Sequence, residues 1–139
     1  MLEDYISYKL KSYLEEINID LIHLTTYSNK VEYYKSNRCN ELYLPNNIIA
    51  VETYLSFYEN KLLAITYNTS QYNLNYLIKF INSFASSQDE FLFEDVLGGN
   101  SDLFCIQNGI AIHLNNRTDS TIDFKIAVPI NERKNKVFV

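Results

Sequence analysis

The stretch from residue 49 to residue 67, IAVETYLSFYENKLLAITY, has the alternation of apolar and polar side chains that is typical of β-strands. Every second residue from Val51 to Phe57 falls on one side of the first strand, and the residues between them, together with Tyr58, fall on the other. The polar sequence Glu-Asn-Lys at 59–61 then leads into a second apolar run, LLAITY. We therefore predict an antiparallel hairpin over residues 49–67, with one face in the core and the other face wetter.

The flanking sequence predicts further strands of the same kind. LFCIQ and IAIHL flank the dipeptide Asn108-Gly109, a strong hairpin signal because both central residues of a type I′ turn need positive φ. Upstream, IDLIHLTTY at 19–27 is rich in branched and aromatic residues, which favour strands. One more half-buried strand is predicted where apolar side chains alternate with Asp123, Lys125 and Ala127, namely at Ile122, Phe124, Ile126 and Val128.

Two segments have the period of an amphipathic helix. The first covers residues 2–17, where apolar residues recur at spacings of three and four. The second begins after a cap at Thr69 or Ser70 and carries Leu74, Leu77, Ile78, Ile81 and Phe84. Because the strands are joined by short turns, we predict an α+β fold: an antiparallel sheet of about five to seven strands packed against two amphipathic helices. The length of 139 residues fits a single domain spanning 1–139.

No catalytic or metal-binding motif is recognisable in the sequence. Cys39 and Cys105 belong to no CxxC pair, and with His23 and His113 they form no zinc-ligand spacing. The three glycines form neither of the nucleotide-binding patterns. We therefore predict that the chain is not an enzyme, that it uses no cofactor or metal, and that these four residues have no catalytic role. Both thiols are expected to be reduced and buried.

The amino terminus, MLEDYISYKL, carries acidic residues where a secretion signal needs positive charge. No stretch approaches the roughly 18 uncharged apolar residues that span a bilayer. We expect a cytoplasmic protein with no membrane partner. The net charge of −5 also disfavours direct binding of nucleic acid, since phosphate contacts require clustered Lys and Arg.

The negative charge is concentrated in one segment. No Lys or Arg occurs between Lys79 and Arg117, and five acidic residues fall in that interval. Removing these five from the 17 acidic residues leaves 12, equal to the 12 Lys and Arg of the whole chain. A solvated turn region is one interpretation, and the rim of a surface that binds a basic partner is another. We take the second as the prediction for the acidic segment, defined as Asp89, Glu90, Glu94, Asp95 and Asp102.

The chain has 12 tyrosines and 17 asparagines but no tryptophan. Tyrosine provides a large contact area at recognition surfaces. It is also a common strand residue with a polar tip, and abundant Asn, Ile, Lys and Tyr can reflect an AT-rich genome. Both interpretations stay open for seven residues: Tyr33, Tyr34, Tyr43, Tyr54, Tyr58, Tyr67 and Tyr72.

The chain is small and acidic, contains no recognisable motif, and is rich in Asn, Tyr and Ile. In this profile it resembles bacterial immunity proteins, most of all those of contact-dependent growth inhibition. The resemblance implies an antitoxin that binds a cognate toxin domain stoichiometrically. A basic nuclease fits that expectation, because an acidic surface can occupy the site that holds phosphates. Two alternatives stay open: a small enzyme or ligand-binding domain with a pocket between helix and sheet, and an assembly subunit that uses an exposed sheet edge. A convergent polar pocket would favour the ligand-binding alternative.

Overall fold

The computed structural model describes residues 8–17, 20–37, 52–83, 94–95, 102–107, 109–115 and 120–129, and only the backbone of 94–95 and 102–105. The strands are β1 (Leu21–Thr26), β2 (Glu32–Ser36), β3 (Glu52–Tyr58), β4 (Lys61–Ser70), β5 (Glu94–Asp95), β6 (Asp102–Gln107), β7 (Ile110–Asn115) and β8 (Thr121–Ala127). The helices are α1 (Leu14–Ile17) and α2 (Leu74–Asn82), and a 3₁₀ turn, Gln71–Asn73, precedes α2.

The strands form one sheet in the order β1-β2-β3-β4-β8-β7-β6-β5, and every neighbouring pair is antiparallel. The chain therefore folds as two four-strand meanders that meet where β4 pairs with β8. Seven of the strands have at least five residues, and the two-residue β5 adds a short eighth strand at one edge. The predicted antiparallel α+β architecture is confirmed.

The predicted hairpin of residues 49–67 is present as β3 and β4 over the described residues. Glu59 and Asn60 have φ of 50° and 64°, which is the conformation of a two-residue type I′ turn. Near this turn the register shifts, because Ser56 pairs with Ala64 while the next residue of β3 pairs with Leu62. Leu63 is thus the extra residue of a β-bulge in β4.

One face of the sheet is the hydrophobic core. Leu55, Ile65, Ile126 and Ile112 lie side by side across four strands, and none of them is exposed to solvent. The helix α2 lies in the same core, because its buried residues Leu77 and Ile81 belong to the same cluster of side chains. Burial of each such side chain stabilises the fold by about 1.5–3 kcal/mol. The alternation of the strands therefore defines a buried face that is covered by the amphipathic helix.

The strand β1 lies at the edge of the sheet opposite to β5 and is mostly exposed. Ile22 and Leu24 are 45% and 47% exposed. The register shifts within this strand, because His23 pairs with Tyr34 while Thr25 pairs with the adjacent residue of β2. Leu24 is therefore the extra residue of a bulge in the outermost strand.

The prediction of a helix over residues 2–17 was wrong for residues 8–13, and residues 2–7 lie outside the described residues. In the described part of this segment, only α1, four residues long, is helical. Before it, the Lys11 N–H donates to the Leu62 carbonyl at 2.8 Å, and the Leu62 N–H donates to the Ser12 carbonyl at 2.8 Å. The first residues of β4 extend beyond the end of β8. Residues 11–13 pair with the backbone groups of these β4 residues instead of forming a helical turn.

None of the described helices has the length and the apolar character that crossing a membrane would require.

Replacement of Lys11 by Gly tests this extended connection. Lys11 has φ of 70°, a conformation that Gly adopts without strain, so Lys11→Gly should leave the free energy of unfolding unchanged or raise it. The matched control is Lys79→Gly in α2, where an exposed glycine should cost about 0.5–1 kcal/mol. Urea denaturation followed by circular dichroism measures both variants. An equal loss in both would show that residue 11 is helical in solution.

The second predicted hairpin is present as β6 and β7, and Gly109 in its turn has φ of 75°. A Cβ atom at this position would meet no heavy atom within 4 Å, so backbone strain alone opposes substitution. Gly109→Val should therefore lower the free energy of unfolding by more than about 1 kcal/mol. Gly109→Asn is the control and should cost clearly less, because Asn tolerates positive φ. Equal stability of the two variants in urea denaturation would contradict the positive φ at residue 109.

Candidate functional site

The sheet face opposite to α2 is polar. Tyr54, Thr66, Lys125 and His113 pair side by side across β3, β4, β8 and β7. They alternate along their strands with the buried row that contains Ile65, so they lie on the other face of the sheet. Each of the four is half-buried. Among the described residues, no helix packs on this face.

This face contains a half-open cavity of about 570 Å³. One wall is the turn between β1 and β2, which contributes Tyr27, Ser28 and Asn29. Thr66, Lys125 and His113 of the polar row line the floor, together with Tyr33, Ser56, Asn115 and Asp123. The cavity therefore draws its lining from five neighbouring strands and one turn.

Packing beneath the turn holds the cavity wall in place. Val31 directly precedes β2, is fully buried, and packs against Leu63, the bulged residue of β4. The Val31 N–H donates to Asn29 Oδ1 at 3.0 Å, and the Tyr27 N–H donates to the Val31 carbonyl at 2.9 Å. Lys30 completes the turn with φ of 70°. A buried apolar contact thus fixes the position of three polar or aromatic wall residues.

Three tyrosines form a continuous aromatic row at this wall. The rings of Tyr33 and Tyr54 are stacked, with centroids 5.4 Å apart and planes 13° apart. The Tyr27 ring lies 6.1 Å from Tyr33 and is tilted by 48°. The Tyr54 hydroxyl donates to Glu52, whose carboxylate also lies 3.6 Å from the Lys35 ammonium. These contacts orient the row and leave Tyr27, which is 51% exposed, at the rim.

The formal charges that line the described part of the cavity balance. Asp123 provides a carboxylate, whose Oδ1 accepts a hydrogen bond from Asn68 Nδ2 at 3.0 Å. Lys125 provides an ammonium two residues farther along the same strand. The His113 imidazole can donate from one nitrogen and accept at the other. The part of the cavity that the structure describes is therefore polar, and its formal charges cancel.

The other tyrosines divide between core and surface. Tyr67 is fully buried and stacks on Phe124, and Tyr72 is 99% exposed beside α2. Tyr34 packs edge-on against Phe57 in the core. Burial, the charge of Glu32 and a hydrogen bond to that carboxylate raise the pKa of Tyr34 above 10.0. Tyr58 packs on the cluster of Val31 and Leu63, and Tyr43 lies outside the described residues.

The structure brings three residues of the acidic segment to one edge of the sheet. Glu94 and Asp95 constitute β5, the outermost strand, and pair with Phe104 and Leu103 of β6. Asp102 begins β6 and pairs with Asn115, which lines the cavity. Asp89 and Glu90 lie outside the described residues. Asp102 thus lies one strand beyond β7, the last described strand of the cavity lining, and Glu94 and Asp95 lie two strands beyond it, at the edge opposite to β1.

The histidines and cysteines are not brought together by the described structure. His23 Nε2 lies 2.9 Å from Thr26 Oγ1, and its ring packs edge-on against Tyr34 at 5.1 Å. His113 pairs with Phe104, whereas Cys105 pairs with the preceding residue of β7, Ile112. Cys39 lies outside the described residues. Within the described ranges, no three His, Cys, Asp or Glu residues are close enough to hold a metal ion. The absence of a catalytic role for these residues stays a prediction.

The ligand-binding alternative predicted a pocket between helix and sheet. The described cavity does not lie there. The helix side of the sheet is filled by core side chains, and the cavity lies on the opposite face. Alternation along single strands could assign Asp123 and Lys125 to the wetter face. The registers of β4 with β8 and of β8 with β7 were needed to bring these residues next to Thr66 and His113.

A scan of protein-family models, a search of curated proteins and a search of solved structures found no match to this chain.

Replacement of Asn68 by Asp tests the contact between Asn68 and Asp123 at the edge of the cavity. It would place a second carboxylate about 3 Å from Asp123, and the repulsion would raise the pKa of this pair. A raised pKa in the folded state means that Asn68→Asp is least destabilising at low pH and loses stability as pH rises through that pKa. At pH 7 we expect a loss of about 1–3 kcal/mol.

Asn68→Ala is the matched control, because it removes the hydrogen bond without adding a charge. Its destabilisation relative to the wild type should depend much less on pH between 4 and 7 than that of Asn68→Asp, because no titratable group is added. Urea denaturation across that range measures the difference. A loss in Asn68→Asp that is as independent of pH as that of the alanine variant would show that the two side chains are not in contact.

Proposed function

We propose that this chain is an immunity protein, an antitoxin of the bacterial cytoplasm that binds and neutralises a toxin domain. The observation that carries the proposal is the position of the acidic segment: Glu94 and Asp95 constitute the outermost strand, and Asp102 begins the neighbouring one. The acids that account for the net charge of −5 are thus placed, in part, at a single edge of the sheet.

A nuclease must be basic around its active site in order to hold phosphates. An acidic edge can occupy such a site in place of nucleic acid, and its field accelerates the encounter with a basic surface. Because β5 is the last strand of the sheet, a partner can approach the acidic segment without displacing another described strand. Neutralisation then requires only stoichiometric binding, and no catalytic group of this chain takes part.

The polar cavity favours a second candidate, a ligand-binding function. Its volume of about 570 Å³ lies within the range of small-molecule sites, about 300–1,000 Å³. The two candidates use different parts of the sheet, and separate experiments test them.

The toxin proposal is tested with the gene neighbourhood and then with binding kinetics. A large secreted protein with a variable carboxyl-terminal domain should be encoded immediately upstream, and that purified domain should bind this chain in a one-to-one complex. Absence of binding by the upstream domain, or absence of such a gene, would contradict the immunity function.

Reversal of the edge charges then tests the acidic segment. The wild type should associate at up to about 10⁸–10⁹ M⁻¹s⁻¹ at low salt, and more slowly as salt shortens the Debye length to about 8 Å. The double variant Glu94→Lys, Asp95→Lys should associate more slowly and depend less on salt. Stability should change little, because isolated surface charges contribute little to it.

The matched control is Glu15→Lys, Glu16→Lys in α1, where both acids are exposed. Each double variant changes the formal net charge from −5 to −1, so the control separates local contact from overall charge. Stopped-flow association across salt concentrations should show a larger loss for the edge variant than for the control. Equal rates and equal salt slopes in the wild type and the edge variant would exclude the acidic segment as the binding surface.

A further inference from the structure

We propose that the cavity on the polar face binds a neutral, polyhydroxylated ring compound, that is, a saccharide. The inference rests on the second candidate function, ligand binding, and names its ligand class. It rests on lining residues that the structure describes, and none of these belongs to the acidic segment.

The balance of charge in the lining argues for a neutral ligand. A phosphate or carboxylate near Lys125 would also lie near the Asp123 carboxylate, and an ammonium near Asp123 would also lie near Lys125. Among the lining residues that the structure describes, neither sign of charge is favoured. A neutral ligand with polar groups can use both residues without a repulsive contact.

The hydrogen-bonding groups of the lining argue for hydroxyl groups on the ligand. The hydroxyls of Ser28, Ser56 and Thr66 both donate and accept, and the amides of Asn29 and Asn115 do the same. A sugar hydroxyl has the same double capacity. An apolar ligand would cover the three hydroxyls without offering them a hydrogen bond, at a cost of about 1–3 kcal/mol for each hydroxyl left unsatisfied.

The tyrosine row argues for a sugar ring in preference to a flat heterocycle. A nucleobase is best held between parallel aromatic faces, but Tyr33 already stacks on Tyr54 at 13°, and Tyr27 is tilted by 48° from Tyr33. No parallel slot is open in this row. A pyranose needs one exposed apolar surface for the C–H groups of one ring face, and the Tyr27 ring at the rim, 51% exposed, provides it.

The test is a titration of the ¹⁵N-labelled full chain with neutral saccharides, followed by NMR. The panel contains glucose, galactose, mannose, N-acetylglucosamine, maltose, cellobiose and lactose, each up to about 10 mM, which detects affinities in the millimolar range. Adenosine, uridine and inorganic phosphate are titrated in parallel. We expect at least one saccharide to shift amide resonances of the lining, with Thr66 and Lys125 among them, and we expect no such shift from the other three compounds.

Two tyrosine variants separate a site in the cavity from binding elsewhere. Tyr27→Ala should weaken the saccharide by about five- to tenfold, as loss of one aromatic contact predicts. Tyr72→Ala is the matched control, because Tyr72 is 99% exposed and does not line the cavity. Circular dichroism checks that both variants are folded. Thr66→Val, which removes a floor hydroxyl with little change of shape, should also weaken binding.

Each outcome decides a different statement. If a nucleoside or phosphate shifts the lining resonances and no saccharide does, the cavity is a ligand site but the saccharide class is wrong. If nothing in the panel shifts them, both the saccharide and the ligand-binding candidate fall. Equal weakening by Tyr27→Ala and Tyr72→Ala would place the sugar outside the cavity and overturn the inference. None of these results affects the toxin proposal, because its test changes Glu94 and Asp95 and none of the cavity residues.

Discussion

The register between β4 and β8 is the constraint on which the rest of the structure depends. Seven consecutive residue pairs, from Ala64 with Ala127 to Ser70 with Thr121, join the two meanders into one sheet. On one face this register aligns Ile65 with Ile126 and extends the core across both halves. On the other face it aligns Thr66 with Lys125 at the floor of the cavity. A slip by one residue would exchange the two faces, so the core and the cavity are specified together.

Much of this architecture could be predicted from local patterns. Alternation identified the strands, and the Asn108-Gly109 dipeptide identified the turn between β6 and β7. The helix predicted for residues 2–17 was wrong for residues 8–13, because apolar spacing indicates which side chains are buried but does not identify the partner of the backbone. Leu10 and Leu14 do pack against the core, yet the N–H groups of residues 11 and 14 donate to β4 and its turn.

The two candidate sites were predictable to different degrees, because they depend to different extents on the pairing of strands that are distant in sequence. The acidic segment is contiguous enough in sequence for its charge to be recognised, but its place at the edge depends on the strand order. The cavity combines residues as distant as Tyr27 and Lys125, and no local pattern relates them. Pairing of Asp102 with Asn115 places the two sites next to each other across the last long strand pair. A partner bound to the acidic segment would therefore lie within two strands of β7, which lines the cavity.

The bulge at Leu24 has a consequence for the behaviour of the chain at high concentration. An outermost strand with exposed Ile22 and Leu24 and no charged residue is a template on which another extended chain can add. The extra residue interrupts the regular spacing of N–H and C=O groups along that strand and increases its local twist. A second molecule cannot continue a flat, uninterrupted ladder past this point. We therefore expect the irregularity to oppose growth of the sheet into fibrillar aggregates, although Ile22 and Leu24 are exposed.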